Sequence, residues 1–245
     1  MDRALFISMS GAKQNMLGQT IHANNLANAN TTGFKNDFEQ ARSMPVWGET
    51  HPTRAYAMTE NPGTNFNQGT MISTGRDLDV ALRGDGWITA QTAEGETVYT
   101  RTGDLNIDPD GILRNSENLT IIGDGGPIVL PEFDKMDIAP DGTITIRGAG
   151  ENPEALAEVD RILLVNPDLN RLEKGSDGLF RIKDEDAVVP DVNVTLEPGF
   201  LEASNVNPVS EMISMMSLAK QFQVQVKMMS TAEENQKSVE RLLQS

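Results

Sequence analysis

Twelve residues in the middle of the chain have the spacing of a calcium loop. In NIDPDGILRNSE, Asn106 to Glu117, side-chain oxygens fall at loop positions 1, 3 and 5, glycine at 6, leucine at 8 and glutamate at 12. An EF-hand supplies its ligands in this order, with the glycine making the sharp turn. Position 1 is Asn106 where aspartate is expected, and position 4 is Pro109. The flanks, TVYTRTG and NLTIIGDG, are β-branched and broken by glycine, whereas an EF-hand needs helices on both sides. The stretch therefore predicts a β-hairpin with a PDG turn, binding no calcium.

Other chemistry is thinner. There are no cysteines, which removes disulfides, thiolate metal ligands and cysteine nucleophiles together. The two histidines, His22 and His51, are far apart; the first lies in a helical pattern and the second in a proline-containing connector. GDGG at 123–126 lacks the spacing and the following helix of a phosphate-binding loop. The prominent aspartates stand in DG or PD turns, where backbone chemistry accounts for them. The methionines of SEMISMMSLAK have the adaptable character of a binding groove, but their helical spacing reads more simply as a helix–helix seam. No catalytic, metal or cofactor site is expected, and no enzyme.

The elements that would position these residues follow from composition and period. The 245 residues suffice for a sizeable core, and no run approaches a membrane span. The N-terminus, MDRALFISMSGAKQ, reads poorly as a cleavable signal peptide. The net charge of −16 is unevenly spread. Residues 1–36 set Arg3, Lys13 and Lys35 against Asp2, residues 205–245 balance four basic against four acidic side chains, and the middle carries −18. That acidic middle would repel phosphate, so no nucleic-acid partner is expected.

Leu5, Met9, Ala12, Met16, Gln19, Ala23 and Leu26 are spaced alternately by four and three, a heptad stripe over a helix at 3–27. Met212, Met215, Ala219, Phe222, Val226 and Met229 form a second stripe over 208–243, where Pro208 suits the first turn. The two helices are expected to pair. Between them, Val-, Ile- and Thr-rich runs divided by DG, EG and TG predict antiparallel strands over 69–198, a sandwich or irregular barrel. Residues 36–68, with Pro45, Pro52 and Pro62, read as an extended connector. The fold class is thus α+β: a β-rich centre (69–198) and a discontinuous, coiled-coil-like helical domain from residues 1–35 and 199–245.

The ends also carry a resemblance. NNLANANTTGFK at 24–35 resembles the ANNLANVNTTGFK signature near the N-terminus of flagellar axial proteins, the rod and hook family; Ala29 stands where valine is commoner. GFLEASNVNPVSEM at 199–212 resembles that family's C-terminal GxLExSNVNxVxEM signature, and LDVALRGDGWITAQTAEGETVYTRTGDLNIDPDG is similar to its β domain. The modest length favours a rod over a hook member. LDVALRGDGW, GPIVLP and SLAKQFQVQVKMMSTAEEN look most like the proximal rod, with the distal rod as the nearest alternative.

The resemblance implies a non-enzymatic subunit without cofactor, exported unfolded through the flagellar export apparatus and assembled helically in the periplasmic rod of the basal body, the drive shaft for motility. Its implied partners are copies of itself and other rod proteins, proximal and distal, with no membrane insertion. The residues implied in assembly are Asn24, Asn25, Leu26, Ala27, Asn28, Thr32, Gly33 and Phe34 at one end. At the other they are Ser204, Asn205, Asn207, Glu211 and Met212, continuing along the stripe through Met215, Ala219, Phe222, Val226 and Met229. Asn28, Asn30 and Gly33 are expected to take the turn conformations that close the first helix. Asn24 and Asn25 are expected to offer their amides to neighbouring subunits. An alternative of another class is a secreted calcium-stabilised β-protein or enzyme with helical dimerisation ends, which would show metal-dependent melting and discrete oligomers.

Overall fold

The computed structural model describes residues 2–47, 52–61, 63–148, 156–175, 177–183 and 189–244. His51 and Pro62 of the expected connector lie outside them. The chain divides into two compact units, Met1–Ala29 with Asn36–Phe66 and Val206–Ser245, and Asn30–Lys35 with Asn67–Asn205.

The first unit contains two helices, α1 (Asp2–Ala27) and α2 (Pro208–Gln244), of 26 and 37 residues. At 1.5 Å per residue they run about 39 and 55 Å. Asn207 starts α2: its Oδ1 accepts the N–H groups of Val209 and Ser210 at 3.1 and 3.2 Å, and its carbonyl accepts Glu211 N–H at 3.1 Å. The Val209 and Ser210 donors have no partner inside the helix, and the proline that follows Asn207 gives up an N–H that would have been idle. No helix among the described residues is long and apolar enough to cross a membrane.

The same unit corrects the connector. Residues 36–68 contain an antiparallel hairpin, β1 (Gln40–Trp47) and β2 (Pro52–Glu60), in register from Gln40↔Glu60 to Val46↔Arg54. Gln14 of α1 holds it, accepting Thr59 N–H on Oε1 at 2.9 Å and the Thr59 hydroxyl on its carbonyl at 3.3 Å. Pro45 does not prevent pairing because β1 is an edge strand of a two-stranded sheet, where one side of the backbone needs no ladder partner.

The second unit is antiparallel throughout. Its main sheet runs in the order Leu172–Lys174, Phe180–Ile182, Thr97–Thr100, Trp87–Gln91, Thr120–Gly123, Leu113–Asn115, Leu105–Ile107. A three-stranded sheet is built from Phe133–Ile138, Thr143–Gly148 and Ala157–Arg161, and two strand pairs join Thr195–Pro198 to Val80–Arg83 and Phe200–Glu202 to Met71–Ser73. Ile144 and Ile146 alternate inward as period two requires, and they share one core with Leu82, Ile88, Val98, Leu113 and Ile121. Trp87 stacks on Phe180 with ring centroids 4.4 Å apart. The architecture is α+β, two terminal helices and an antiparallel β-rich centre.

The calcium-like stretch is a hairpin, Leu105–Ile107 against Leu113–Asn115. Gly111 takes φ 79° in its turn, and Asp108 Oδ2 accepts Arg114 Nε at 2.9 Å, so a guanidinium already engages a carboxylate that a calcium loop would offer as a ligand.

Candidate assembly site

Helical spacing leaves a choice that only packing resolves. On α2, Met215, Phe222 and Met229 lie seven apart on a half-buried row, as expected. The companion row is not Met212, Ala219 and Val226. It is Glu211, Leu218 and Gln225, one residue earlier: Glu211 is buried, Leu218 and Gln225 half-buried, while Met212 and Val226 are exposed and Ala219 is half-buried. On α1 the expected stripe splits in the same way: Ala12 is buried and Leu5, Gln19 and Leu26 are half-buried, as expected, but the other row is not. Met9, Met16 and Ala23 are exposed, and the buried row is Gly11, Gly18 and Asn25, seven apart, with Ser8 and Ala12 beside it.

The reason is steric. Gln225 lies over Gly11, where a Cβ would come within 3.0 Å of its amide nitrogen, and Leu218 lies over Gly18, within 3.1 Å. The bulk of α2 occupies the space that these glycines leave, so the helices run antiparallel with small residues of one facing large residues of the other. Near the far end of the seam, the His22 imidazole shares a hydrogen bond with the Glu211 carboxylate through Nδ1, and Glu39 stands 4.0 Å from Nε2. Sequence reading left His22 without a role; its pairing with Glu211 spans 189 residues and has no local signal.

The asparagine cluster is also resolved. Asn25 is buried, and its amide is consumed within the chain: Nδ2 donates to Asp37 C=O and Oδ1 accepts Asp37 N–H, both at 3.0 Å. It pairs with the returning backbone as a strand would, and so is not offered to a neighbour. Asn24 is exposed, and its carbonyl accepts both the backbone N–H and the side-chain amide of Asn28 at 3.2 and 2.9 Å. Leu26 is half-buried and Ala27, the last helical residue, is exposed. Asn28, Asn30 and Gly33 lie in the turns that follow α1, as expected, and of the three only Gly33 is left-handed, at φ 69°.

Within the second unit, residues 30–35 are fastened by the C-terminal signature. Gly33 N–H donates to Glu202 C=O at 2.8 Å, Asn205 N–H to Phe34 C=O at 3.3 Å, and the Thr102 hydroxyl to Thr32 C=O at 3.2 Å. Asn205 also donates its amide to Asn67 C=O at 3.0 Å, and Ser204 beside it is half-buried. Lys174 Nζ donates to Lys35 C=O at 2.7 Å and lies 4.0 Å from the centre of the Phe34 ring.

At the centre of this fastening is a charge cluster that sequence reading missed. Lys35, Arg101 and Glu202 have side chains 0%, 3% and 1% exposed. Glu202 Oε1 accepts Lys35 Nζ at 2.6 Å and Gly69 N–H at 2.8 Å, and Oε2 accepts Arg101 Nη1 at 2.9 Å. Arg101 donates further to Gly86 and Gly84 carbonyls at 3.1 and 2.7 Å, and lies over the Trp87 ring. Lys35 also reaches Asn67 C=O at 2.8 Å. Burial pushes the Lys35 ammonium below the usual lysine range; Glu202 opposes that shift and Arg101 reinforces it. Lys35 closes the N-terminal signature and Glu202 opens the C-terminal one, so the available clue was one charge in each motif.

Among the described residues no group of three or more acidic or histidine side chains is placed to hold a metal. What the geometry defines is a pair of long helices with apolar outer faces and a β unit whose ends are tied by buried charge. Three family models fit this arrangement: "Flagella basal body rod protein" at residues 5–35, "Flagellar hook protein FlgE/F/G D1 domain" at 81–146, and "Flagellar basal body rod FlgEFG protein C-terminal" at 197–242. The chain belongs to the flagellar basal-body rod protein family. It is 37% identical over 249 residues to the flagellar basal-body rod proteins FlgF of Salmonella typhimurium and Escherichia coli, covering 99% of both chains in each case. It is 28% identical to FlgG of Bacillus subtilis, covering 95% of this chain and 96% of that one.

Proposed function

We propose that this protein is a non-catalytic structural subunit of the flagellar basal-body rod, which adds helically to copies of itself and to other rod proteins to build the drive shaft. The observation that carries this is the outer surface of the helical pair. Phe6, Met9, Met16 and Leu17 on α1 and Met212, Ile213, Met216 and Val224 on α2 are between 46% and 61% exposed. Burying a large apolar side chain is worth about 1.5–3 kcal/mol, so a face of this kind gains most when other subunits cover it.

In this reading the terminal segments 1–35 and 199–245 carry assembly and 69–198 form the β domain. The seven-residue repeat of facing rows supports a coiled-coil character for the helical pair. A core shared between the main and the three-stranded sheet supports a sandwich arrangement of the β unit. Likeness to the two FlgF proteins favours the proximal over the distal part of the rod, and export through the flagellar apparatus follows from that family reading.

The test uses the double variant Met9→Lys with Met16→Lys, both outward-facing. The purified variant is expected to melt as the parent does, while a tagged copy is missing from isolated basal bodies and the strain does not swim. Normal swimming with the variant present in the rod would refute the proposal.

A further inference from the structure

Glu202 is the common acceptor of four donors from three places in the chain. Its carboxylate takes Lys35 Nζ, Gly69 N–H and Arg101 Nη1, and its backbone carbonyl takes Gly33 N–H. Take Glu202 away and two cations remain in a space with almost no solvent, together with two backbone N–H groups that have lost their acceptor. Burying uncompensated like charges is far less favourable than leaving them in water. The donors lie 167 and 101 residues before Glu202 for the two cations, so no local structure brings the set together. The strand that carries Glu202 pairs with Met71–Ser73, Glu202 opposite Met71, which places Gly69 beside it. That approach has no slack: a Cβ on Gly69 would lie 1.9 Å from the Ala203 carbonyl oxygen.

We propose that Glu202 is a closing key: the segments 30–35 and 67–69 stay open until the strand Phe200–Glu202 docks, so that residues 30–35 become ordered only with residues near the far end of the chain. Lys35 and Arg101 then do more than join an ion pair. They hold the site open in any chain whose C-terminal strand has not arrived, because either cation resists desolvation beside the other. A chain truncated before residue 202 would leave the segment 30–35 unfixed.

Pulse-labelling hydrogen exchange during refolding of the full, unmodified chain tests the order directly. The amides of Gly33 and Gly69 are expected to gain protection no earlier than those of Leu201 and Ala203. Protection of Gly33 and Gly69 ahead of that strand would overturn the proposal. At equilibrium, Glu202→Gln should speed exchange of Gly33 and Gly69 by about a hundredfold, while Ile88, Val98 and Ile121 stay within about threefold of the parent. Adding Lys35→Met to Glu202→Gln removes one uncompensated cation and should recover roughly tenfold of that hundredfold loss. A double variant no better protected than the single one would show that Glu202 acts through its hydrogen bonds and not by balancing the two cations, and would overturn the charge argument.

Discussion

Gly33→Ala offers the sharpest test of how residues 30–35 are held, because a matched control exists in the same unit. Gly33 has φ 69° and Gly75 has φ 68°. An alanine at either position meets the same left-handed penalty, about 1–2 kcal/mol, less the few tenths to 1 kcal/mol gained by stiffening the unfolded chain. The surroundings differ. At Gly75 nothing lies within 4 Å of the new Cβ, whereas at Gly33 it meets Arg101 C at 2.5 Å, Thr102 N at 2.6 Å and Arg101 C=O at 2.7 Å. Those atoms are backbone of a segment buried on all sides and cannot swing away as a side-chain tip would. The segment must move instead, which stretches the 2.8 Å bond from Gly33 N–H to Glu202 C=O. Forced overpacking costs about 1–3 kcal/mol and a weakened hydrogen bond about 1 more.

Gly75→Ala is therefore expected to lose about 1 kcal/mol and Gly33→Ala about 3–5. At about 2–4 °C per kcal/mol for a domain of this size, the melting temperature should fall by about 2–4 °C in the first case and roughly 6–20 °C in the second. Trp87, buried between Phe180 and Arg101, reports the unfolding by fluorescence. The exposed Trp47 is replaced by phenylalanine in every sample to remove its background. Equal melts for the two alanine variants would refute the claim that the backbone of Arg101–Thr102 closes over Gly33.

Asn25→Asp keeps the shape but replaces a donor with a carboxylate facing Asp37 C=O; urea denaturation should show a loss of about 2–4 kcal/mol, with faster exchange of the Asp37 amide. Calcium added to the protein is expected to give no binding heat in calorimetry and no shift in melting, since Asn106–Glu117 lacks flanking helices and Asp108 is paired with Arg114. For Lys35, burial lowers the folded-state value, so between that value and the ordinary lysine value of about 10.4 the unfolded chain binds more protons and stability rises with pH. Lys35→Met should flatten that rise in denaturation curves taken from neutral to alkaline pH. Phe222→Asp, on the inner row of α2, is expected to separate the helices while leaving the Trp87-reported melt intact, and to reduce swimming.

Much of this protein is determined by rules that act over a few residues. Helix limits of 3–27 and 208–243 expected from period and capping compare with Asp2–Ala27 and Pro208–Gln244, because Asn207 and Pro208 satisfy the first turn locally. The PDG hairpin is legible for the same reason: Asp108, Gly111 and their neighbours close it among themselves. The family signatures, too, are runs of a dozen residues. The tertiary structure decides which face of each helix turns inward. Rows one residue apart share the same seven-residue period, and counting apolar side chains favours Met212 and Val226, yet Leu218 and Gln225 fit where Gly18 and Gly11 leave room. It also decides that Asn25 pairs with Asp37 and that Lys35, Arg101 and Glu202 share one dry site, partnerships set by how distant segments meet. A period is written into the chain by its own backbone geometry; the partner across a seam or a buried charge is chosen only when another segment arrives to fill the space and neutralise the field.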